Sequence, residues 1–342
     1  MVRRPITPTG PAGLEDLLAS AARIRANIEQ VIEGKPEVVR LSLVVLLAEG
    51  HLLIEDVPGV GKTMLAKALA RTIDCSVRRI QFTPDLLPSD VTGVSIFNQE
   101  SRDFEFKPGA VFANLVVGDE INRASPKTQS ALLEAMEERQ VSVDGVTYVL
   151  ETPFMVIATQ NPIEMEGTYP LPEAQRDRFT ARVSMGYPSP EAELLMLETH
   201  GSSEPIDDLE PVADALEVRK LIEVVRGIYV SAEVTRYVVD LLGATRTAPE
   251  LRLGASPRAG LQLVRAARAS AALEGRDYVV PDDIQRLAGP VLAHRLLPTA
   301  EAQVSRRTTD DVVTDIVERT PVSAVPFAPG PGVSGPVAAR RR

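Results

Sequence analysis

Apolar residues recur along this chain at two spacings, and the spacings mark out its elements. Leu14, Leu17, Leu18, Ala21, Ile24, Ile28 and Val31 share one helical face, which predicts an amphipathic helix over Leu14–Glu33, broken by Gly34 and Pro36. Glu37–Glu49 is apolar almost throughout and reads as a buried helix that Gly50 ends. Leu52-Leu53-Ile54 is a short strand, and Leu65, Leu69 and Ile73, four apart, predict a helix over Met64–Ile73. Val77–Phe82 predicts a second strand. Residues 83–113 are irregular apart from a hairpin, Val94–Phe97 against Asp103–Phe106. Leu115–Gly118 predicts a third strand, running into Asp119-Glu120. Ser125 caps and Pro126 opens a helix that carries Leu132, Leu133 and Met136. A second hairpin turns at Asp144-Gly145, between Val141/Val143 and Tyr148–Leu150. Phe154–Ala158 and Ala181–Met185 are the last two strands.

After Pro188 the strand pattern stops. Glu191–His200 reads as a helix, 201–210 as a polar linker, and four further helices follow: Leu216–Arg226, then one after each of Ser231, Ser256-Pro257 and Pro281-Asp282-Asp283. Strands alternating with helices predict a parallel sheet whose ligands sit at the strand C-terminal ends. The expected organisation is a flexible arm over 1–13, an α/β core over 14–189, a small all-helical domain over 190–320 and a disordered Pro-, Gly- and Ala-rich tail over 321–342.

Composition narrows the class. A hydrophobic content of 44% and a charged content of 25% are those of a globular protein. No apolar run approaches the roughly 20 residues of a membrane span. Met1–Gly13 has no apolar stretch after Arg3 and Arg4, so it does not read as a signal peptide. Cys75 stands alone, which fits a reducing cytoplasm. A net charge of −10 argues against nucleic acid as the main ligand. His51, His200 and His294 show no metal-ligand spacing.

The chemistry gathers at the strand ends. Between the first strand and its helix stands Glu55-Asp56-Val57-Pro58-Gly59-Val60-Gly61-Lys62-Thr63. A strand feeding a Gly-rich turn aims the first helical amides at one point, where the helix dipole favours an anion. Pro58, Gly59, Val60, Gly61, Lys62, Thr63 and Met64 are the candidate ATP cradle. Gly59 and Gly61 let backbone close on phosphate, and Lys62 reaches the β- and γ-phosphates. Asp56 stands where the full pattern has its first glycine. Thr63 and Asp119 are the candidate Mg²⁺ ligands, and Glu120 is placed to polarise an attacking water. Asn161, ending the next strand, can orient that water. Arg176 and Arg178 precede the last strand and could supply a cation to a neighbouring subunit's phosphate. Arg258 lies in the first turn of a helix, against the dipole, which suggests an anionic partner.

These motifs together resemble the MoxR-type AAA+ ATPases. The likeness is carried by the phosphate loop, by Gly118-Asp119-Glu120-Ile121-Asn122-Arg123-Ala124, and by Lys127–Glu138. Ala158-Thr159-Gln160-Asn161-Pro162, Leu171-Pro172-Glu173-Ala174-Gln175 and Gly254-Ala255-Ser256-Pro257-Arg258-Ala259 complete it. It spans about Leu14 to Thr320. The resemblance implies an αβα sheet of order 5-1-4-3-2 with a helical lid, and a hexameric ring with ATP between subunits. By it Lys62 and Thr63 form Walker A, Asp119 and Glu120 Walker B, and Asn161 sensor 1. Arg178 is then the arginine finger, and Arg258 is sensor 2, a second cation for its own subunit's phosphate. The two hairpins resemble the helix-2 and pre-sensor-1 inserts. By the same likeness the second strand runs beside the Walker B strand, so Gln81, near its end, could hydrogen-bond Glu120 and hold it away from water. Two positions depart from the family's habit: Arg176, usually apolar, which leaves the choice of finger open, and Gly118, usually Ala. Family members are chaperone-like, acting on protein complexes with a von Willebrand factor A partner. No Asp-x-Ser-x-Ser motif occurs here, so such a domain would come in trans. Three other readings stand beside this one: a chelatase-type subunit driving metal insertion, a nucleotide-gated scaffold with little hydrolysis, and a helicase, which the acidic charge disfavours.

Overall fold

A computed structural model describes residues 13–57, 59–161, 168–169, 171–188, 190, 193–194 and 206–322. The expected arm and tail and the helix expected over 191–200 lie almost wholly outside them, and Pro58 and Pro162 wholly.

The strands in chain order are β1 (Leu52–Glu55), β2 (Ile73–Asp74), β3 (Val77–Gln81), β4 (Gly93–Asn98), β5 (Asp103–Pro108), β6 (Leu115–Asp119), β7 (Gln140–Val143), β8 (Val146–Val149), β9 (Met155–Gln160), β10 (Ala181–Val183) and β11 (Ala213–Asp214). Five of them form one parallel sheet in the order β10-β1-β9-β6-β3, the 5-1-4-3-2 order that the resemblance implies. Helices α1 (Leu14–Glu29), α2 (Pro36–Leu47), α3 (Lys62–Thr72), α4 (Pro88–Thr92), α5 (Pro126–Glu138) and α6 (Glu173–Arg176) accompany it. The helical lid comprises α7 (Ala215–Arg226), α8 (Ala232–Thr247), α9 (Pro257–Leu273), α10 (Pro281–Leu292), α11 (Ala300–Val304) and α12 (Thr309–Arg319).

Alternation along the central strands divides the core. Leu115, Val117, Met155 and Ile157 join one buried cluster, while Val116, Val156 and Ala158 join another. The first cluster also takes Leu17, Ile24 and Ile28 of α1, Val39 and Val44 of α2, and Val218, Leu263 and Ala267 of the lid. Lid and sheet are thus joined through the N-terminal helices by one apolar core. Arg40 of α2 reinforces the joint, donating to Ser270 Oγ at 2.8 Å and pairing with Glu274 at 3.0 Å.

The second cluster packs α5 against the other sheet face and takes in Val141 of β7, one arm of the hairpin β7–β8; β4 and β5 form a second hairpin. The hairpins meet where the Phe106 ring stacks on Tyr148, centroids 4.0 Å apart.

Several elements differ from expectation: β10 ends at Val183 and not at Met185, α4 lies in the stretch read as irregular, and the lid carries two further helices, α11 and α12. Helix α1 stops at Glu29, a turn before Glu33. Ile73 is extended and pairs in β2 with Ala213 of β11, so a two-residue ladder lies beyond Pro188. Leu251–Leu253 pairs with Leu297–Pro298 within the lid. Ladders this short carry no periodicity to read.

Candidate functional site

In-register strands bring the candidate residues together. Gln81 is level with Asp119, Gly118 with Ala158, and Glu55 with Gln160. The loop after β1, the acidic pair after β6 and Asn161 after β9 therefore open on one cleft. Gly59, Lys62, Thr63, Arg79, Gln81, Asp119, Glu120, Thr159 and Asn161 line this cavity of roughly 230 Å³.

Gly59 and Gly61 have φ of 84° and 89°, the left-handed region where a side chain is strained. Lys62 opens α3, and its ammonium donates to the Asp56 carbonyl and, at 3.2 Å, to that of Gln160. Asp56, buried, is the loop's anchor. Its carboxylate accepts from the Val57 N–H at 2.7 Å, the Ser184 hydroxyl at 2.8 Å and the Gly186 N–H at 2.6 Å. Burial pushes its pKa up, but the Gly186, Ser184 and Val57 bonds outweigh this and hold it below the usual carboxylate range. The missing first glycine is thus a strut from the loop to the chain beyond β10.

Asp119 is buried at the end of β6. Its Oδ1 accepts from the Thr63 hydroxyl at 3.0 Å and from Thr159 Oγ1 at 3.4 Å. Thr63 and Asp119 are hard oxygen donors set side by side at the phosphate turn, a pair that fits Mg²⁺ completed by phosphate and water oxygens. Among the described residues no group of three or more His, Cys, Asp or Glu could hold a metal ion.

Glu120 has φ 58° and ψ 51°, a left-handed backbone that costs about 1–2 kcal/mol for a residue with a Cβ. Its N–H donates to Thr159 Oγ1 at 3.0 Å, which holds that turn. Its Oε2 accepts from Gln81 Nε2 at 3.1 Å and pairs with Arg123 Nε at 3.1 Å. The expected contact between Gln81 and Glu120 is therefore present. The Asn161 carbonyl accepts from Asn122 Nδ2 at 3.3 Å.

Two residues of the cleft escaped the sequence reading. Arg79 pairs with Asp119 Oδ2 at 2.7 Å and donates to Gln81 Oε1 at 3.2 Å. Its signal was the two-residue spacing to Gln81, which puts both on one face of β3. Thr159 joins Asp119 to Glu120 as described; its signal was a polar residue at the end of a buried strand.

Arg178 and Arg258 are elsewhere. Glu137, near the C-terminal end of α5, accepts from Arg178 Nε at Oε2 and from Arg258 Nη1 at Oε1, both at 2.7 Å. The anion opposite Arg258 is thus Glu137. Arg258 stands apart from the phosphate loop of its own chain: the cleft of Lys62 and the cavity of Arg258 share no lining residue. The second cavity, roughly 490 Å³, is lined by six arginines, at 139, 178, 226, 258, 265 and 268, against Glu49 and Glu137. Buried Arg295 of the lid sets the corner: it donates to the Phe179 carbonyl and pairs with Asp177 at 3.0 Å, which ties the segment around Arg178 to the lid. Burial pulls its pKa down to about 10. Arg176 lines neither of these two cavities.

Residues 51–181 match the ATPase family associated with various cellular activities (AAA), and residues 243–316 match the AAA lid domain. Chaperone MoxR1 of Mycobacterium tuberculosis is 40% identical over 96% of this chain and 89% of its own. Protein MoxR of Methylorubrum extorquens is 32% identical over 91% of this chain and 98% of its own. The chain belongs to the MoxR family of AAA+ ATPases. The uncharacterized protein YeaC of Bacillus subtilis is another relative, 50% identical over 90% of this chain and 96% of its own. A crystal structure from Cytophaga hutchinsonii, 37% identical, superposes with a TM-score of 0.81 over 90% of this chain and 96% of that one. Membership implies nucleotide binding. Among the described residues no helix of this MoxR-family chain is long and apolar enough to cross a membrane.

Proposed function

We propose that this MoxR-family protein hydrolyses ATP with Mg²⁺ at the interfaces of a homo-oligomeric ring, a hexamer by family likeness, and uses the cycle to remodel protein partners. In this reading Pro58 to Met64 cradle the phosphates, and Thr63 and Asp119 hold the metal. Glu120 takes the proton of the attacking water and Asn161 orients that water. Arg178 and Arg258 of one subunit together meet the terminal phosphate bound by the next. Protein clients are supported by the name of the Mycobacterium relative, a chaperone. A von Willebrand factor A partner in trans is the family expectation carried into this proposal.

One observation carries the proposal of shared sites. The two arginines suited to a γ-phosphate stand together in a cavity rich in positive charge, outside the cleft of Lys62 in the same chain. Such a cavity suits a polyphosphate brought by a second copy.

Subunit mixing tests this. Arg178→Ala is expected to bind ATP normally and to lose about 10³-fold or more in kcat. Lys62→Ala is expected to lose nucleotide binding. Mixed, the two should regain activity, because an intact phosphate loop then faces an intact arginine pair. Co-assembled rings that regain none would refute catalysis in trans, and a worse loss from Arg176→Ala would move the finger to Arg176.

A further inference from the structure

Glu137 is absent from the roles above, yet it is the group on which the core and lid arginines converge. It lies in the last turn of α5, where the helix dipole opposes a carboxylate. Something must offset that placement, and the two guanidiniums do so. Each carboxylate oxygen serves one arginine: Oε2 takes Arg178, carried by the core between α6 and β10, and Oε1 takes Arg258, carried by α9 of the lid. Without a shared anion two cations so close would repel and swing apart, since both side chains are about a third exposed. The Arg178 bond, more than the smaller upward push of burial, holds the Glu137 carboxyl below the usual range, so it is ionised wherever the protein works.

The same cavity contains a second pairing of this kind. Glu49 accepts from Arg139 at 2.6 Å and pairs with Arg226 of α7 at 2.7 Å, again core to lid. Glu49 is the more enclosed, and Arg139 also donates to its backbone carbonyl at 2.7 Å, which marks a structural staple. The Glu137 pair has no such backbone tie and is more open, so its arginines can turn toward an incoming anion.

We infer that Glu137 is a positioning residue: one carboxylate fixes the lid arginine Arg258 beside the core arginine Arg178, so that both address the terminal phosphate of a neighbouring subunit's ATP. The inference rests on the proposed trans reading of the two arginines. It makes α5 the link between successive sites, because the helix starts six residues after Glu120 in one cleft and ends at the arginine pair that serves the next.

The test compares full-length Glu137→Ala with Arg178→Ala, Arg258→Ala and the Arg178→Ala/Arg258→Ala double variant, as assembled rings. Fluorescent-ATP affinity of Glu137→Ala should stay within about twofold of the parent, while kcat falls about 10- to 100-fold, the scale of a small misplacement of a catalytic group. Mixing with Lys62→Ala should restore activity, since those subunits keep an intact Glu137 and its arginines. In the double-arginine background Glu137→Ala should change kcat no further, which a merely structural role would not produce. Should Glu137→Ala fail to assemble, Glu137→Gln, of the same shape, is measured by the same criteria. An unchanged or raised kcat beside an impaired Arg178→Ala would overturn the inference and leave the trans reading standing. So would a further fall in the double background. If neither Arg178→Ala nor Arg258→Ala lowers kcat, the trans reading itself fails.

Discussion

Replacing Asp56 by Ala tests the anchoring of the phosphate loop. The substitution removes a carboxylate that accepts three hydrogen bonds, at 2.7, 2.8 and 2.6 Å, and leaves the Val57 and Gly186 N–H groups without that acceptor. A hydrogen bond to a charged group contributes about 1.5–3 kcal/mol. Ser184 is exposed and Val57 and Gly186 are partly so; water can replace much of what is lost, and the net cost should be about 2–4 kcal/mol. For a chain of this size that corresponds to a fall of about 3–6 °C in the unfolding midpoint. The loop also holds Lys62, whose ammonium bonds the Asp56 carbonyl, so ATP affinity should drop about tenfold, or ~1.4 kcal/mol. The folded state holds this carboxyl below the ordinary value of 3.8, so its stabilisation is present above that pH and lost as pH falls through the lower folded value. The gap between parent and variant should therefore close on acidification below pH 3.8. Asp56→Gly, which restores the generic first glycine, should fare no better than Ala. Thermal melts and fluorescent-ATP titration supply the readouts. If Asp56→Gly matches the parent in both, the position needs only a loop residue and the strut argument is wrong.

Gln81→Ala removes the 3.1 Å bond to Glu120 and should raise basal ATPase about fivefold, the rate equivalent of one exposed bond of ~1 kcal/mol; an equal or lower rate counts against the restraint. Gly118→Ala would set a Cβ 2.9 Å from the Phe82 ring, so it should cost about 1–3 kcal/mol in a urea melt, and adding Phe82→Leu should recover most of this; additive losses would refute the clash. Buried His51 accepts the Val156 N–H at Nδ1 and bonds the Met136 carbonyl through Nε2, and desolvation lowers its pKa from 6.5 to about 4. The unfolded chain thus takes up a proton that the fold refuses, and stability should fall by about 3 kcal/mol as pH drops from 6.5 to about 4. His51→Gln should flatten that slope, and an unchanged slope would assign it to other groups.

Much of this protein is legible without coordinates, because its signals are local. Gly59, Gly61, Lys62 and Thr63 are neighbours in sequence, and a strand, a glycine turn and a helix start are each set by a few consecutive residues. The buried strands could be read for the same reason: Leu115–Val117 and Met155–Ala158 are continuous apolar runs. Even the contact between Gln81 and Glu120 could be anticipated, since the family likeness implied adjacent strands. What the sequence could not decide was which charge faces which. Asp56 looks like a defect in a motif until Ser184 and Gly186, over a hundred residues later, close on its carboxylate. Gly118 looks like a minor departure until Phe82 is seen to fill the space of its missing Cβ. Arg258 carries its family motif wherever the lid sits, so only the lid's packing on α1 and α2, with Arg295 gripping the corner at Phe179, places it at Glu137 beside Arg178. Local pattern determines backbone conformation, because the forces there act between near neighbours. The pairing of arginines with carboxylates depends on how separate elements dock, and that is settled only when the apolar core assembles.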